Sequence, residues 1–183
     1  MKKSILLNSK ELKVTIERLA CQLIENHDDF LNTVLVGIQP RGKYLCSRIV
    51  KVLKSNYNIE ELKFGLLDIT FYRDDFRRNE NILKPSITDF TLSIENKKVV
   101  FIDDVLFTGR TIRAALTAIE SFGRPKSIEL MILIDRRFSR ELPIQPDYKG
   151  IQVDVYKDER ALVNWDNEGD DDYAYIVKTT NDE

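Results

Sequence analysis

The chain is poor in the residues that most metal and nucleophile chemistries need. It has two cysteines, Cys21 and Cys46, and one histidine, His27, among 183 residues. Zinc-type Cys/His spacing is missing, and no Ser/His/Asp constellation stands out. Both cysteines fall in helical patterns among apolar neighbours, which reads as buried free thiols and not a disulfide. The Walker A and G-x-G-x-x-G loops are absent, so neither of those phosphate sites is present. No apolar run is long enough to span a bilayer, and Ile5-Leu6-Leu7 is too short for a secretory signal. The expectation is a cytoplasmic protein with no membrane association. The formal net charge of -2 gives no global electrostatic case for nucleic acid. Repeats, Gly/Ser-rich linkers and Pro-rich linkers are also missing. With 43% hydrophobic residues, the chain suits one domain with a full core.

What is present alternates. Ser9 can cap a helix over residues 10–26, with Leu12, Ile16, Leu19, Ala20 and Leu23 on its buried stripe. Residues 33–38 read as a strand. Gln39-Pro40-Arg41-Gly42 is a loop, and a helix follows through Leu53. Residues 62–71 read as a second strand, and residues 73–90 as a polar, charged loop. After Gly150 come three short strands, over 151–155, 161–165 and 173–177. Strands alternating with helices predict an α/β fold around a parallel sheet with right-handed crossovers. The acidic stretch Asp166 to Asp172 lacks the terminal Glu of an EF-hand loop and lies between strands, so it reads as a solvated turn.

The run Val99-Val100-Phe101-Ile102-Asp103-Asp104-Val105-Leu106-Phe107-Thr108-Gly109-Arg110-Thr111 is the most informative part of the chain. It reads as a buried strand, an acidic strand end, a tight loop and a helix start at Ile112. Backbone N–H groups at such a loop bind phosphate, and the helix dipole favours the anion. Thr108 and Thr111 add hydroxyl donors, and Gly109 permits close backbone approach. Two carboxylates beside that cup suit a pair of sugar hydroxyls. Together they describe a ribose 5-phosphate. The loop at Arg41-Gly42 also follows a strand and opens a helix, at the edge where open α/β sheets collect ligands.

The run resembles the phosphoribosyl-pyrophosphate (PRPP) signature of type I phosphoribosyltransferases. The resemblance implies a central, mostly parallel sheet flanked by helices, with a small hood. The core then covers about 9–134, the hood about 135–183 plus N-terminal residues, and a closing loop about 73–90. It implies that Asp103 and Asp104 hold the ribose hydroxyls and act in catalysis, and that Thr108, Gly109, Arg110 and Thr111 hold the 5-phosphate. Pro40, Arg41, Gly42 and Arg73 then face pyrophosphate, in a loop that in the family often holds a non-proline cis peptide. Arg77 and Arg78 lie on the closing loop and read as solvated. Magnesium is implied as cofactor, bound mainly through PRPP, with no dedicated metal site in the protein. A homodimer or higher homo-oligomer is implied as well.

Within that family, L-D-I-T-F-Y-R-D-D at 67–75, I-D-D-V-L-F-T-G-R-T at 102–111 and R-E-L-P-I-Q-P-D-Y-K-G at 140–150 are similar to the PyrR family of pyrimidine-operon regulators. Those proteins combine uracil phosphoribosyltransferase activity with binding to pyrimidine-operon mRNA. Purine enzymes usually place Asp at position 107. Phe107 leaves a purine N7 unpaired at a cost of about 1–3 kcal/mol. The base is then expected among Phe107, Asp135, Arg136 and Val153. The chain departs from the family pattern after Asp135-Arg136, where Arg137-Phe138-Ser139 replaces Gly-His. RNA is a possible but disfavoured partner. On the first helix only Arg18 keeps the family's basic type, while Glu17 repels phosphate. Arg136, Arg137 and Arg140 form a possible basic cluster. Three readings follow: a uracil phosphoribosyltransferase giving UMP and pyrophosphate, a UMP-sensing RNA-binding regulator, and a transferase for purines.

Overall fold

The computed structural model describes residues 3–73, 93–156, 158–167 and 169–178. Five parallel strands form the main sheet. They are β2 (Thr33–Ile38), β3 (Lys63–Leu67), β4 (Lys98–Leu106), β5 (Ser127–Arg137) and β6 (Tyr148–Asp154), in the order β3-β2-β4-β5-β6. A second sheet is antiparallel, with β1 (Lys3–Leu7), β8 (Tyr173–Lys178) and β7 (Glu159–Asn164) in the order β1-β8-β7. Helices α1 (Ser9–His27) and α2 (Gly42–Tyr57) pack on one face of the main sheet, and α3 (Arg110–Ile119) on the other.

β4 explains why the sheet closes as it does. Val99 to Asp104 are all buried, because helices cover both faces of a central parallel strand and leave no wet side. Two apolar clusters result. One gathers α1, α2 and the inner sides of β1, β7 and β8 around Leu35, Val100 and Leu133. The other lies under α3, around Val36, Phe101, Ile112 and Ile132. Among the described residues no helix is long and apolar enough to cross a membrane.

Four local expectations need correction. Helix α1 is capped by Asn8 and not Ser9. Asn8 accepts from the Glu11 amide at 3.0 Å while the Glu11 carboxylate takes the Asn8 amide at 2.8 Å, so the acid three residues on selects Asn8. β3 stops at Leu67, short of Phe71. The Asp68 carboxylate accepts from the Thr70 amide (2.8 Å) and hydroxyl (2.6 Å) and turns residues 70–72 into a 3-10 turn. The strand near 151–155 is not part of the tail: β6 begins at Tyr148 and pairs in parallel with β5 as the last strand of the main sheet. Finally, the acidic stretch near 166–172 is anchored and not simply solvated. Buried Asp172 accepts from Arg48 at 2.8 Å and from the Asp166 amide at 2.7 Å, bolting the β7–β8 turn to α2. Both cysteines are free thiols. Cys46 is buried, which pushes its thiol up to about 12, and Cys21 is half-buried against the Tyr57 hydroxyl.

Candidate active site

The C-terminal edge of the main sheet carries the site, because parallel strands with right-handed crossovers deliver all their following loops to one edge. Two adjoining cavities open there, of about 510 and 640 Å³. Arg73, Asp103, Val105, Phe107 and Thr111 line both, so the space is continuous. Arg77 and Arg78 lie outside the described residues.

The first cavity has the lining of an anion site. Thr108, Gly109, Arg110, Thr111 and Ile112 line it. Gly109 sits at φ 93°, the left-handed region that glycine adopts without strain, and it starts α3 with no side-chain cap. The α2 start at Arg41 is likewise uncapped by any side chain. By contrast α1, far from the cavity, has a complete capping box. Neither N-cap residue caps its helix, and apart from the Arg110 amide, which donates to the Thr108 hydroxyl at 3.3 Å, the first amides of these helices are left for a ligand, where α1 satisfies its own. The Thr108 carbonyl accepts from the amides of Glu141 (3.0 Å) and Leu142 (3.2 Å), which fixes the cup's outer wall.

Asp103 lines both cavities and Asp104 the second, and both are buried. Burial and then the neighbouring Asp104 charge push the Asp103 carboxyl well above the usual carboxylate range, while Arg41 and Arg73 pull the other way. Asp104 Oδ2 accepts from Arg41 Nε at 2.7 Å. Gly42 makes this possible by closeness. A Cβ there would stand 2.3 Å from the Ile102 carbonyl oxygen and 3.0 Å from Asp103 Cα. The α2 start thus rests directly on β4 beside the acids. The only cis peptide among the described residues is Gln39–Pro40, an X–Pro bond in this loop and not the non-proline cis peptide usual in the family.

The second cavity has a cationic, aromatic wall. Arg136 lies with its guanidinium 4.0 Å from the Phe107 ring centroid, a stacking that keeps both planes in place. Arg136 is 6% exposed, donates to the Glu159 carbonyl at 3.3 Å, and has its Nε buried without a hydrogen-bond partner. Burial and then the charge of Arg160 lower its pKa. A buried unpaired donor costs about 1–3 kcal/mol. Glu159, Arg160, Ala161 and Leu162 of β7 complete the wall.

Of the residues singled out by sequence, Pro40, Arg41, Arg73, Asp103, Asp104, Phe107, Thr108, Gly109, Arg110, Thr111 and Arg136 come together on this space. Gly42 lies just beneath it. Asp135 and Val153 do not reach it. Asp135 is buried behind Phe107: it accepts from Arg140 and from Gln152 at 3.2 Å, and Arg140 in turn donates to the Phe107 carbonyl at 2.5 Å. Val153 is on the β6 face packed against the core. Sequence reading missed Glu141, whose carboxylate meets Arg110 at 2.7 Å at the cup's mouth, and the β7 residues. The strand at 161–165 was read from local pattern, but nothing local marks its place at the site, since that depends on the second sheet folding over the first. Among the described residues no group of three or more His, Cys, Asp or Glu side chains could hold a metal. The donor set here, one pair of adjacent carboxylates, fits a divalent ion held mainly by substrate oxygens and water.

Comparison with known proteins agrees with this geometry. The phosphoribosyl transferase domain family matches residues 3–165. The bifunctional protein PyrR of Picosynechococcus is 42% identical over 165 residues, covering 89% of this chain and 92% of that protein. That of Enterococcus faecalis is 39% identical, covering 97% and 98%, and that of Bacillus subtilis 36%, covering 96% and 97%. Among solved structures, a hypoxanthine phosphoribosyltransferase from Staphylococcus aureus matches with a TM-score of 0.65 at 25% identity, covering 87% of this chain and 81% of that one. A site assembled on the edge of a five-stranded parallel sheet, and relatives matched over most of their length, lead to one conclusion: the chain belongs to the phosphoribosyl transferase domain family, as a type I member of its PyrR group.

Proposed function

We propose that the protein transfers the phosphoribosyl group of PRPP to uracil, giving UMP and pyrophosphate. The observation that carries this reading is the pair Asp103–Asp104 set between two uncapped helix starts on one continuous cavity. In this reading the 5-phosphate sits on the amides and hydroxyls of 108–111, and the leaving pyrophosphate takes Arg41, the amides at Gly42, and Arg73. Asp103 and Asp104 align the ribose hydroxyls and stabilise the positive charge that develops at the anomeric carbon as the bond to pyrophosphate breaks. Magnesium, held mainly by PRPP oxygens beside Asp103 and Asp104, would supply charge that offsets that of the leaving group.

Base choice rests on Phe107 and Arg136. An apolar ring at 107 offers nothing to a purine N7, and the guanidinium of Arg136, stacked on that ring, gives the wall a fixed cationic plane suited to a small carbonyl-bearing base. The test is pyrophosphate release with PRPP, magnesium and each of uracil, hypoxanthine, guanine and xanthine. Uracil is expected to turn over and the purines not. Turnover with a purine alone overturns the assignment of the base. Association as a homodimer or higher homo-oligomer is part of the same reading, and sedimentation at micromolar concentration checks it.

A second reading, a UMP-sensing RNA-binding regulator, is favoured by the 36–42% identity to proteins named as bifunctional PyrR. Against it stand the partners of its basic residues. Arg137 is held by Asp154 (2.5 and 2.6 Å), Arg140 by Asp135 and the Phe107 carbonyl, and Arg18 by the carbonyls of Lys149 and Gly150. Arg136 faces inward on Phe107. Few of these charges remain for phosphates, so RNA affinity is expected to be weak. Nanomolar, UMP-stimulated binding to a pyrimidine-operon leader in a filter assay reverses that ranking.

A further inference from the structure

We infer that Trp165 is a positioning residue for Asp104, an inference that rests on the phosphoribosyl-transfer reading above. Trp165 follows β7, outside the residues that line either cavity. Its indole Nε1 lies 3.5 Å from Asp104 Oδ2, at the long end of the hydrogen-bond range. The same oxygen accepts from Arg41 Nε at 2.7 Å, and Arg41 also donates through Nη2 to the carbonyl of Val163, two residues before Trp165. On its other side the indole stacks on Tyr44, with centroids 6.1 Å apart and planes 16° from parallel. Tyr44 sits in the first turn of α2, the helix that rests on β4 beside the acids. The end of β7 is thus wedged between Asp104 and the start of α2.

This wedge has a task because Arg41 has two claimants. A guanidinium engaged by one carboxylate is drawn to a pyrophosphate group, which carries more charge and offers oxygens for bidentate pairing. When Arg41 turns to the leaving group, it leaves behind Asp104, whose side chain is only 5% exposed. A buried carboxylate that loses its partner is costly and free to rotate. Trp165 Nε1 is then a side-chain donor still within reach of Oδ2. An indole N–H donates only and carries no charge, so it holds the carboxylate in place without competing with the developing cation on the ribose. The stack on Tyr44 fixes the indole, and through it the direction of the oxygen left for the ribose.

The experiment combines a variant pair with a signal from the unaltered protein. Trp165→Phe keeps the aromatic stack and deletes the donor. It is expected to fold, by circular dichroism, and to lower kcat/KM for PRPP about 5–20-fold while the KM for the base stays within about twofold. Trp165→His returns a ring N–H with less stacking area and is expected to recover part of that loss. A Phe variant equal to the wild type, or better than the His variant, overturns the inference. So does a rise in both KM values together, which marks a loosened hood. Trp165 is the only tryptophan in the chain, so its emission reports on the wild-type protein directly. Titration with magnesium and PRPP is expected to shift that emission as Arg41 leaves Asp104. Unmoved emission while calorimetry records PRPP binding overturns the inference alone. A wild-type protein that binds no PRPP overturns the phosphoribosyl-transfer reading, and this inference with it.

Discussion

The two edges of the five-stranded sheet both bury polar groups, and they treat them in opposite ways. At the N-terminal edge His27, Thr33, Glu129 and Tyr148 close on one another. His27 Nδ1 meets the Thr33 hydroxyl at 3.0 Å, and Nε2 lies 3.1 Å from Glu129 and 3.2 Å from the Tyr148 hydroxyl. Tyr148 donates to Glu129 at 2.6 Å and receives from Asn26 at 3.1 Å. At the C-terminal edge the acids crowd each other, Arg136 Nε has no partner, and two helices begin without side-chain caps. A closed polar network stabilises one arrangement. An open one stores binding capacity that only a ligand satisfies. The difference separates the part of the sheet that holds the fold from the part that carries the candidate site.

The largest expected effect is at the open edge. Asp104→Asn is expected to lower turnover about 100- to 1000-fold with little change in melting temperature, because it removes charge from a preorganised site. Asp103→Asn is expected to cost about 10- to 100-fold, because the amide fixes the uncharged state that protonation gives the wild type as pH falls. The pH profile of kcat/KM for PRPP sharpens this. Protonation of Asp103 weakens ribose and cation binding, so activity falls as pH falls, starting above the ordinary carboxylate range. Removing the Asp104 charge eases ionisation of Asp103, so in Asp104→Asn the limb is expected to move to lower pH. A limb that stays in place breaks the coupling between the two acids.

The next effect is at the closed edge and should appear in stability alone. Glu129→Ala strips a shared acceptor from His27 and Tyr148 and is expected to cost about 2–3 kcal/mol in urea denaturation, with kinetic constants within about twofold of wild type. A loss of activity out of proportion to stability would show that the two edges communicate through β5.

The smallest effect is the pH dependence of that stability. Burial lowers the His27 pKa in the folded protein, with Glu129 opposing and Lys98 adding to the shift. The unfolded chain therefore takes up the proton more readily. The contribution is fully present above the unfolded value of about 6.5 and is lost as pH falls through it toward the folded value. Melting temperatures recorded from neutral pH downward should show this decline, and His27→Gln should flatten it. Equal slopes in the two proteins would place the dependence elsewhere.

How much of this was legible in the chain depends on distance along it. Strand β2 was read at its observed ends, Thr33 and Ile38, and β4, its acids and the 108–111 loop lie in one continuous stretch. There apolar burial, the acidic stop and the glycine turn are all local signals. Asn8 was legible too, through Glu11 three residues on, although Ser9 drew the assignment. Asp135 and Val153 were placed at the base by resemblance, yet the strand alternation turns Val153 onto the core and Arg140 claims Asp135.

By itself, then, the sequence determined the parallel sheet, the glycine turn at 108–111 and the adjacent carboxylates, because each is written in neighbouring residues with a fixed period or turn. Only the tertiary structure decided what faces them. Arg41 reaches the Val163 carbonyl across 122 positions, Trp165 reaches Asp104 across 61, and Arg48 reaches Asp172 across 124. The physical reason is that these contacts depend on how the β1-β8-β7 sheet closes over α2. That closure is set by the whole packed core, which no local spacing encodes.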